Sequence, residues 1–164
     1  MSGTADADAF LGWLEVASAG STSAAEWLSL GLEKILARFG CSAGTIHLLE
    51  TNSGLLKLEA ARGMPDVVLE KIGTIPVGKG MAGIAAERRE AVQVCNLQTD
   101  TSGVVRPGAR DTKMEGSVAA PMISTAGELR GTLGIAKAVP YDFTNEECEL
   151  LLRVGRLFAD RLPT

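Results

Sequence analysis

The spacing of hydrophobic residues predicts three long helices, two at the start of the chain and one at its end. In each helix the apolar residues recur every three or four positions, which places them on one face. These residues are Phe10, Trp13, Leu14 and Ala17, then Leu28, Leu32, Ile35, Leu36 and Phe39, then Leu151, Val154, Phe158 and Leu162. Ser23 and Glu26 have the spacing of a reciprocal N-cap pair. Thr144 and Glu147 have the same spacing and are predicted to start the last helix.

Shorter segments between these helices are predicted to be strands. The first two, at residues 45–50 and 55–61, flank turn-forming residues at 51–54 and are therefore expected to form a hairpin. The residues expected on the buried face of the second strand are Leu56, Leu58 and Ala60. The remaining predicted elements are strands at residues 91–95, 117–123 and 129–138, and short helices at residues 66–72 and 80–88.

The order of these elements predicts an α+β fold. Helices from both chain ends are expected on one face of a partly antiparallel sheet, with a loop-covered cavity on the other face. Residues 97–116 form the longest segment without periodicity. Loops of this length in a compact domain are usually functional or disordered, so this segment is the candidate cover of the cavity.

Composition and charge restrict the function classes. The 164 residues are 46% hydrophobic and 22% charged, which is sufficient for a core without disulfides or metal. A net charge of −4 and an aromatic content of 4% argue against binding to nucleic acid or to an anionic membrane. Cys41, Cys95 and Cys148 lie far apart and match no zinc or redox spacing, so no metal site is predicted and a reducing, cytoplasmic setting is expected.

Several short motifs resemble, in their order and spacing, those of the GAF domain family. They are Ala61-Arg62-Gly63-Met64-Pro65, Ile75-Pro76-Val77-Gly78-Lys79-Gly80, Ala120-Pro121-Met122, Gly131-Thr132-Leu133-Gly134-Ile135 and Tyr141-Asp142-Phe143-Thr144. The resemblance implies a GAF/PAS-like antiparallel sheet with terminal helices on one face, often paired with a second subunit, and ligands on the other. Residues 1–22 are then expected to be an N-terminal helix for dimerisation or signalling, and residues 23–164 the GAF domain.

One branch of this family is catalytic, the free methionine-R-sulfoxide reductases. Their chemistry needs a thiolate and resolving thiols. The positions at which the branch carries cysteines correspond here to Ile72, Ala82 and Arg110. Because none of these is a cysteine, the sequence favours a non-catalytic member, with the reductase as the less favoured alternative.

Three other ligand classes of the family match this chain poorly, and no cofactor is assigned. A covalent bilin needs a pocket cysteine, commonly followed by histidine, whereas Cys95 is followed by Asn96. Haem needs an axial ligand, and His47, the only histidine, lies in a predicted strand, where packing is the commoner role. The family's cyclic-nucleotide signature is met at Lys137, Phe143 and Glu146-Glu147 but has Ala136 in place of asparagine.

A small anionic metabolite is the ligand that the remaining polar residues favour. The predicted helix at residues 80–88 offers free backbone N–H groups at its start. Arginine binds carboxylate or phosphate through two hydrogen bonds. The candidate ligand-binding residues are Gly80, Met81, Ala82, Arg106, Arg110, Asp111, Thr112, Lys113 and Ser117. The alternative for the loop residues is a solvated segment of mixed charge.

Aromatic residues expected to be exposed on the first two helices predict a homodimer. Phe10 and Trp13 lie on the first helix, and Trp27 lies off the main stripe of the second. We therefore expect a non-catalytic small-molecule sensor or regulatory module. It would signal to an effector protein through ordering of residues 97–116 and through the terminal helices. The alternative is a ligand-free structural dimerisation module whose cavity is filled by the side chains of Met81, Met114 and Met122.

Overall fold

A six-stranded antiparallel sheet forms the centre of the computed structural model, which describes residues 2–163. Its strands are β1 (Ala43–Glu50), β2 (Leu55–Arg62), β3 (Thr74–Pro76), β4 (Val92–Val94), β5 (Ser117–Ile123) and β6 (Leu129–Ala136). Their order across the sheet is β3-β2-β1-β6-β5-β4, so β1 and β6 join the two hairpins. The predicted α+β fold is confirmed, although the sequence pattern does not predict β3.

Helices cover both faces of this sheet. Residues 2–163 contain α1 (Ser2–Gly20), α2 (Ala24–Phe39), α3 (Asp66–Ile72), α4 (Gly80–Arg88) and α5 (Asn145–Arg161). α2 and α5 pack on one face, and α1 lies outside them, in contact with both. α3 and α4 lie on the other face with a 3₁₀ helix, Pro107–Thr112, which interrupts the long segment at residues 97–116. Among the helices of residues 2–163, none combines the length and the hydropathy that a membrane span requires.

Polar side chains start α2 and α5 at the predicted residues. The Glu26 N–H donates to Ser23 Oγ, and the Glu147 N–H donates to Thr144 Oγ1, each at 3.1 Å. Glu147 also accepts from the Thr144 N–H at 3.0 Å, which completes the reciprocal pair. The Glu26 carboxylate instead accepts from the N–H and hydroxyl of Thr22. The predicted reciprocal bond to Ser23 is therefore wrong, because the preceding threonine offers two donors.

The main hydrophobic core lies between the sheet and the three long helices. Its fully buried side chains include Leu28, Leu32, Ile35, Ile46, Met122, Leu133, Leu151 and Phe158. Trp27 is also buried, with its ring edge-on to that of Phe158 and its Nε1–H donating to the Leu14 carbonyl at 3.0 Å. The prediction that Trp27 is an exposed aromatic is therefore wrong, because α1 covers it and accepts its polar hydrogen.

A β-bulge in β2 changes the direction of its side chains. The pairing of β2 with β1 skips Glu59, which is therefore an extra residue in the ladder. Ala60 packs in the helix-side core, whereas Leu56 packs with Ile75 on the opposite side of the sheet. The predicted single buried face of this strand is wrong, because one inserted residue moves the following side chains to the other face.

Candidate functional site

A cavity of about 360 Å³ lies on the face of the sheet opposite α2 and α5. Strands β1, β5 and β6 make its floor, and α3, the start of α4 and the 3₁₀ helix make its walls. The floor residues are mostly small and include Ala43, Thr45, Ser117, Ala119, Gly134 and Ala136. Because such short side chains do not fill the space above the central strands, the fold leaves room there for a ligand.

Gly134 lies at the centre of this floor. It is opposite Thr45 of β1 on one side and Ala119 of β5 on the other. Directly opposed residues of antiparallel strands point to the same face, so these three positions share the cavity side. Thr45 lines the cavity and is only 9% exposed, and its hydroxyl makes no hydrogen bond to another residue in the described range 2–163.

His47, two residues further along β1, is a buried residue of the same lining. Its Nε2 lies 2.8 Å from the carbonyl oxygen of Ile72. Since a carbonyl only accepts hydrogen bonds, Nε2 carries the proton of the neutral ring. Burial lowers the pKa of His47, and the hydrogen bond to Ile72 opposes this only in part. The ring is therefore neutral at pH 7.

We expect the protein to lose stability as the pH falls below about 6.5, the ordinary pKa of histidine. The unfolded chain then binds a proton on His47, whereas the folded chain, in which the pKa is lowered, does not. The free energy of unfolding should fall by at most about 1.4 kcal/mol per pH unit until the folded pKa is reached.

Urea denaturation at pH 7 and at about pH 5.5 measures this loss. His47→Gln is the comparison variant, because its amide can still donate to the Ile72 carbonyl but does not titrate. Equal losses in the two proteins would contradict the assignment to His47.

Basic residues from three elements line the mouth of the cavity: Lys71 of α3, Lys79 before α4 and Arg106 before the 3₁₀ helix. Lys71 Nζ lies 2.7 Å from a carboxylate oxygen of Asp111, and both side chains are about half exposed. The hydrogen bond from Lys71 lowers the pKa of Asp111. Lys79 and Arg106 form no ion pair or side-chain hydrogen bond with any described residue.

The N-terminus of α4 adds positive potential at the same place. No side chain caps this helix, and the N–H groups of Gly80, Met81 and Ala82 have no acceptor within the part of the chain that the structure describes. Gly80 has a φ of +67°, and a Cβ there would lie 2.8 Å from Arg106 Cδ. Glycine therefore permits both the turn and the close approach of the Arg106 stem.

The structure brings six of the nine candidate residues to this cavity: Gly80, Met81, Ala82, Arg106, Thr112 and Ser117. The other three lie outside the lining. An Arg110 N–H donates to the Asp100 carbonyl at 3.1 Å, and Asp111 pairs with Lys71. Lys113 is exposed and ends the 3₁₀ helix in the left-handed conformation. Arg110 and Asp111 therefore make contacts outside the cavity, and Lys113 faces solvent.

Several lining residues are absent from the set selected by sequence, among them Thr45, His47, Lys71 and Lys79. The alternation of side chains along β1 indicates that Thr45 and His47 lie on one face, since residues two apart in a strand share a face. Lys79 lies within the glycine-rich motif itself. No local sequence pattern predicts that Lys71 lines the cavity, because its position depends on how α3 packs beside the 3₁₀ helix.

Lys137 and Phe143, which match the cyclic-nucleotide signature, lie outside the cavity lining, whereas Ala136, which replaces the asparagine, belongs to it. Lys137 Nζ donates to the carbonyl oxygens of Phe39 and Gly40, at 2.6 and 3.3 Å. It therefore stabilises the C-terminal end of α2. Phe143 belongs to the helix-side core.

The described cavity lining contains no cysteine. Burial raises the pKa of Cys41 to about 11 and also raises the pKa of Cys148, which disfavours the reactive thiolate. Two of the positions at which the catalytic branch carries cysteines, Ile72 and Ala82, line the cavity with hydrocarbon side chains.

Comparisons with known proteins agree on the fold. A family model described as GAF domain matches residues 21–162. The GAF domain from a phosphoenolpyruvate-protein phosphotransferase (ptsP) of Coxiella burnetii has a TM-score of 0.80 at 19% identity, covering 94% of this chain and 91% of that chain. The corresponding GAF domain from Acinetobacter has a TM-score of 0.78 at 16% identity, with coverages of 94% and 91%.

A third similar structure is the free methionine-R-sulfoxide reductase of Neisseria meningitidis in complex with its substrate. Its TM-score is 0.77 at 20% identity, and the match covers 95% of this chain and 89% of that chain. At such identities the likeness shows the fold alone. No curated protein matches this sequence.

Proposed function

Since the chain belongs to the GAF domain family, whose model matches residues 21–162, we propose that it is a non-catalytic sensor whose ligand occupies the cavity over β1, β5 and β6. The observation that carries this proposal is an open cavity of about 360 Å³ with two unpaired basic side chains, Lys79 and Arg106, at its mouth. A mostly apolar cavity with a few converging polar groups is typical of small-molecule sites.

The open cavity favours this proposal over a ligand-free structural module. In the ligand-free case, large side chains would fill the space. Met81 does line the cavity, but Met122 belongs to the helix-side core, and small residues form the floor.

The lining disfavours the reductase alternative. Reduction of a sulfoxide by this chemistry needs a thiolate next to the substrate and a second thiol that resolves the intermediate. No described lining residue is a cysteine, and the raised pKa of Cys41 makes its thiolate scarce at pH 7. The fold shared with the Neisseria meningitidis reductase does not supply such thiols.

The 3₁₀ helix is the part of the cavity that we expect a ligand to move. The base of its loop is already closed, since the Leu97 N–H donates to the Glu115 carbonyl at 2.8 Å. The 3₁₀ helix itself is joined to α3 by the Lys71–Asp111 ion pair. A half-exposed ion pair contributes little stability, so a ligand can shift the balance between open and closed arrangements of these two walls.

Hydrogen exchange tests this proposal. With the small-molecule fraction of a cell extract added, the amides of residues 108–112 should exchange at least about ten-fold more slowly. The variant Gly134→Leu, in which the cavity floor carries a large side chain, should show no such protection. Unchanged exchange in the wild-type protein would contradict the proposal.

We also propose that the exposed apolar surface of α1 and α2 packs against a second copy of the chain. Trp13, Val16 and Leu30 are exposed there, Val16 to 75%, and the Lys34 ammonium lies 4.8 Å from the centre of the Trp13 ring. Val16→Glu should therefore convert a dimer to a monomer in sedimentation velocity. Val139→Glu, at a position exposed outside the helices, is the control. A wild-type protein that sediments as a monomer would contradict the proposed dimer.

A further inference from the structure

The charged side chains that line the cavity are all basic. Lys71, Lys79 and Arg106 belong to the lining, and among the described lining residues there is no aspartate or glutamate. Asp111 pairs with Lys71 and lies outside the lining. An anionic group that enters the mouth therefore meets two unpaired cations, whereas a cationic group meets no partner.

The start of α4 supplies hydrogen-bond donors at the same mouth. The N–H groups of Gly80, Met81 and Ala82 lack acceptors in the described part of the chain. Unpaired N–H groups at the positive end of a helix dipole bind the oxygens of an anion. The Arg106 stem passes over Gly80, which holds this arginine next to the helix N-terminus.

A buried hydroxyl on the floor gives an independent indication of a ligand. Thr45 is nine-tenths buried, and its Oγ1 has no hydrogen-bond partner among residues 2–163. Of the described side chains, only Thr132 has an oxygen that is both fully enclosed and unpaired, so the Thr45 hydroxyl is open to the cavity. Because this hydroxyl has no protein partner and faces the cavity, its hydrogen-bond partner is a water or a ligand that occupies the cavity.

The interior behind the mouth is apolar. Its hydrocarbon lining includes Val68, Ile72, Ile75, Leu97 and Ala119. The buried imidazole of His47 adds a polar edge but no charge at pH 7. Burial of an apolar ligand body here supplies affinity, while the polar groups at the mouth fix its orientation.

We infer that the cavity binds a small monocarboxylate that has an apolar body and no ammonium group. Its carboxylate contacts Arg106, Lys79 and the start of α4, and its body lies over the floor at Gly134. An amino acid is a poor ligand, because its ammonium group would lose water without gaining a carboxylate partner. This inference rests on the proposed sensor function and adds the chemical class of the ligand.

Calorimetric titration with matched probes tests this ligand class. The probes are hydrocinnamate, its neutral amide, and phenylalanine, which is hydrocinnamate with an added ammonium group. Hexanoate and hexanamide form a second acid–amide pair. They have no ring and therefore test the same preference if the aromatic ring of hydrocinnamate does not fit the cavity. At least one acid should bind about ten-fold or more tightly than its amide, and hydrocinnamate more tightly than phenylalanine.

The variant Arg106→Gln should weaken binding of the acid by about ten-fold and leave binding of the amide unchanged. Arg88→Gln is the matched control, because it removes the same charge from the exposed C-terminal end of α4, outside the cavity lining. Equal weakening by both variants would show a general effect of net charge and would overturn the placement of the carboxylate.

The other outcomes separate this inference from the sensor proposal. If an amide or phenylalanine binds as tightly as the acid, the ligand class is wrong but the cavity still binds a small molecule. Tighter binding of phenyl phosphate than of hydrocinnamate would likewise overturn the carboxylate assignment alone. If neither acid binds, the class is also wrong, and the hydrogen-exchange comparison with Gly134→Leu decides the sensor proposal independently.

Discussion

Replacing Phe158 with alanine is expected to lower the free energy of unfolding by about 3–5 kcal/mol. Phe158 is fully buried in α5, and its ring is edge-on to that of Trp27, with centroids 5.1 Å apart. A Cβ on Gly31 of α2 would lie only 2.8 Å from Phe158 Cζ, so the ring packs directly on the backbone of that helix. Because Gly31 has no side chain that could move into the space, the substitution leaves a cavity where helices meet.

Thermal denaturation followed by circular dichroism measures this effect. For a domain of this size the expected loss corresponds to a fall in Tm of about 6–20 °C. Val139→Ala is the control, because Val139 is 57% exposed and its truncation should change stability by less than about 0.5 kcal/mol. A loss below about 1 kcal/mol for Phe158→Ala would contradict the described packing of the helices.

The elements that depend on local sequence are the ones that could be predicted. The stripes of α2 and α5, and the caps at Ser23 and Thr144, involve residues a few positions apart, and the structure confirms them. The burial of Trp27 could not be predicted from local sequence, because the acceptor of its N–H is the Leu14 carbonyl of another helix. The three-residue β3 is defined only by its pairing with β2, which no local pattern reports.

The candidate site likewise contains residues that local sequence predicts and residues that it does not. The start of α4 could be located, because a glycine-rich turn before a short helix is a local feature. The charges of Arg110 and Asp111 make them candidates, but charge alone does not reveal that the Asp100 carbonyl and Lys71 already bind them. Alternation along β1 places Thr45 and His47 on one face, but the position of Thr45 opposite Gly134 depends on pairing with β6, which a single chain segment does not show.

Replacing Gly134 with leucine is expected to abolish ligand binding while the domain stays folded. A Cβ at Gly134 would lie 3.5 Å from Thr45 Oγ1 and 3.9 Å from the Val118 carbonyl oxygen, which are ordinary contact distances. The strand can therefore carry a side chain there, and a leucine would project it into the cavity. Stability should not fall, because glycine inside a strand costs about 0.5–1 kcal/mol relative to alanine.

Gly134→Ala is the matched control, because a single methyl group leaves most of the 360 Å³ free. The leucine variant should bind hydrocinnamate at least about a hundred-fold more weakly than the alanine variant in calorimetric titration. Lys79 and Arg106 are unchanged in both variants, so the comparison separates the cavity from its charged mouth. If the leucine variant binds with wild-type affinity, the cations alone hold the acid at the surface, and the cavity is not the sensor site.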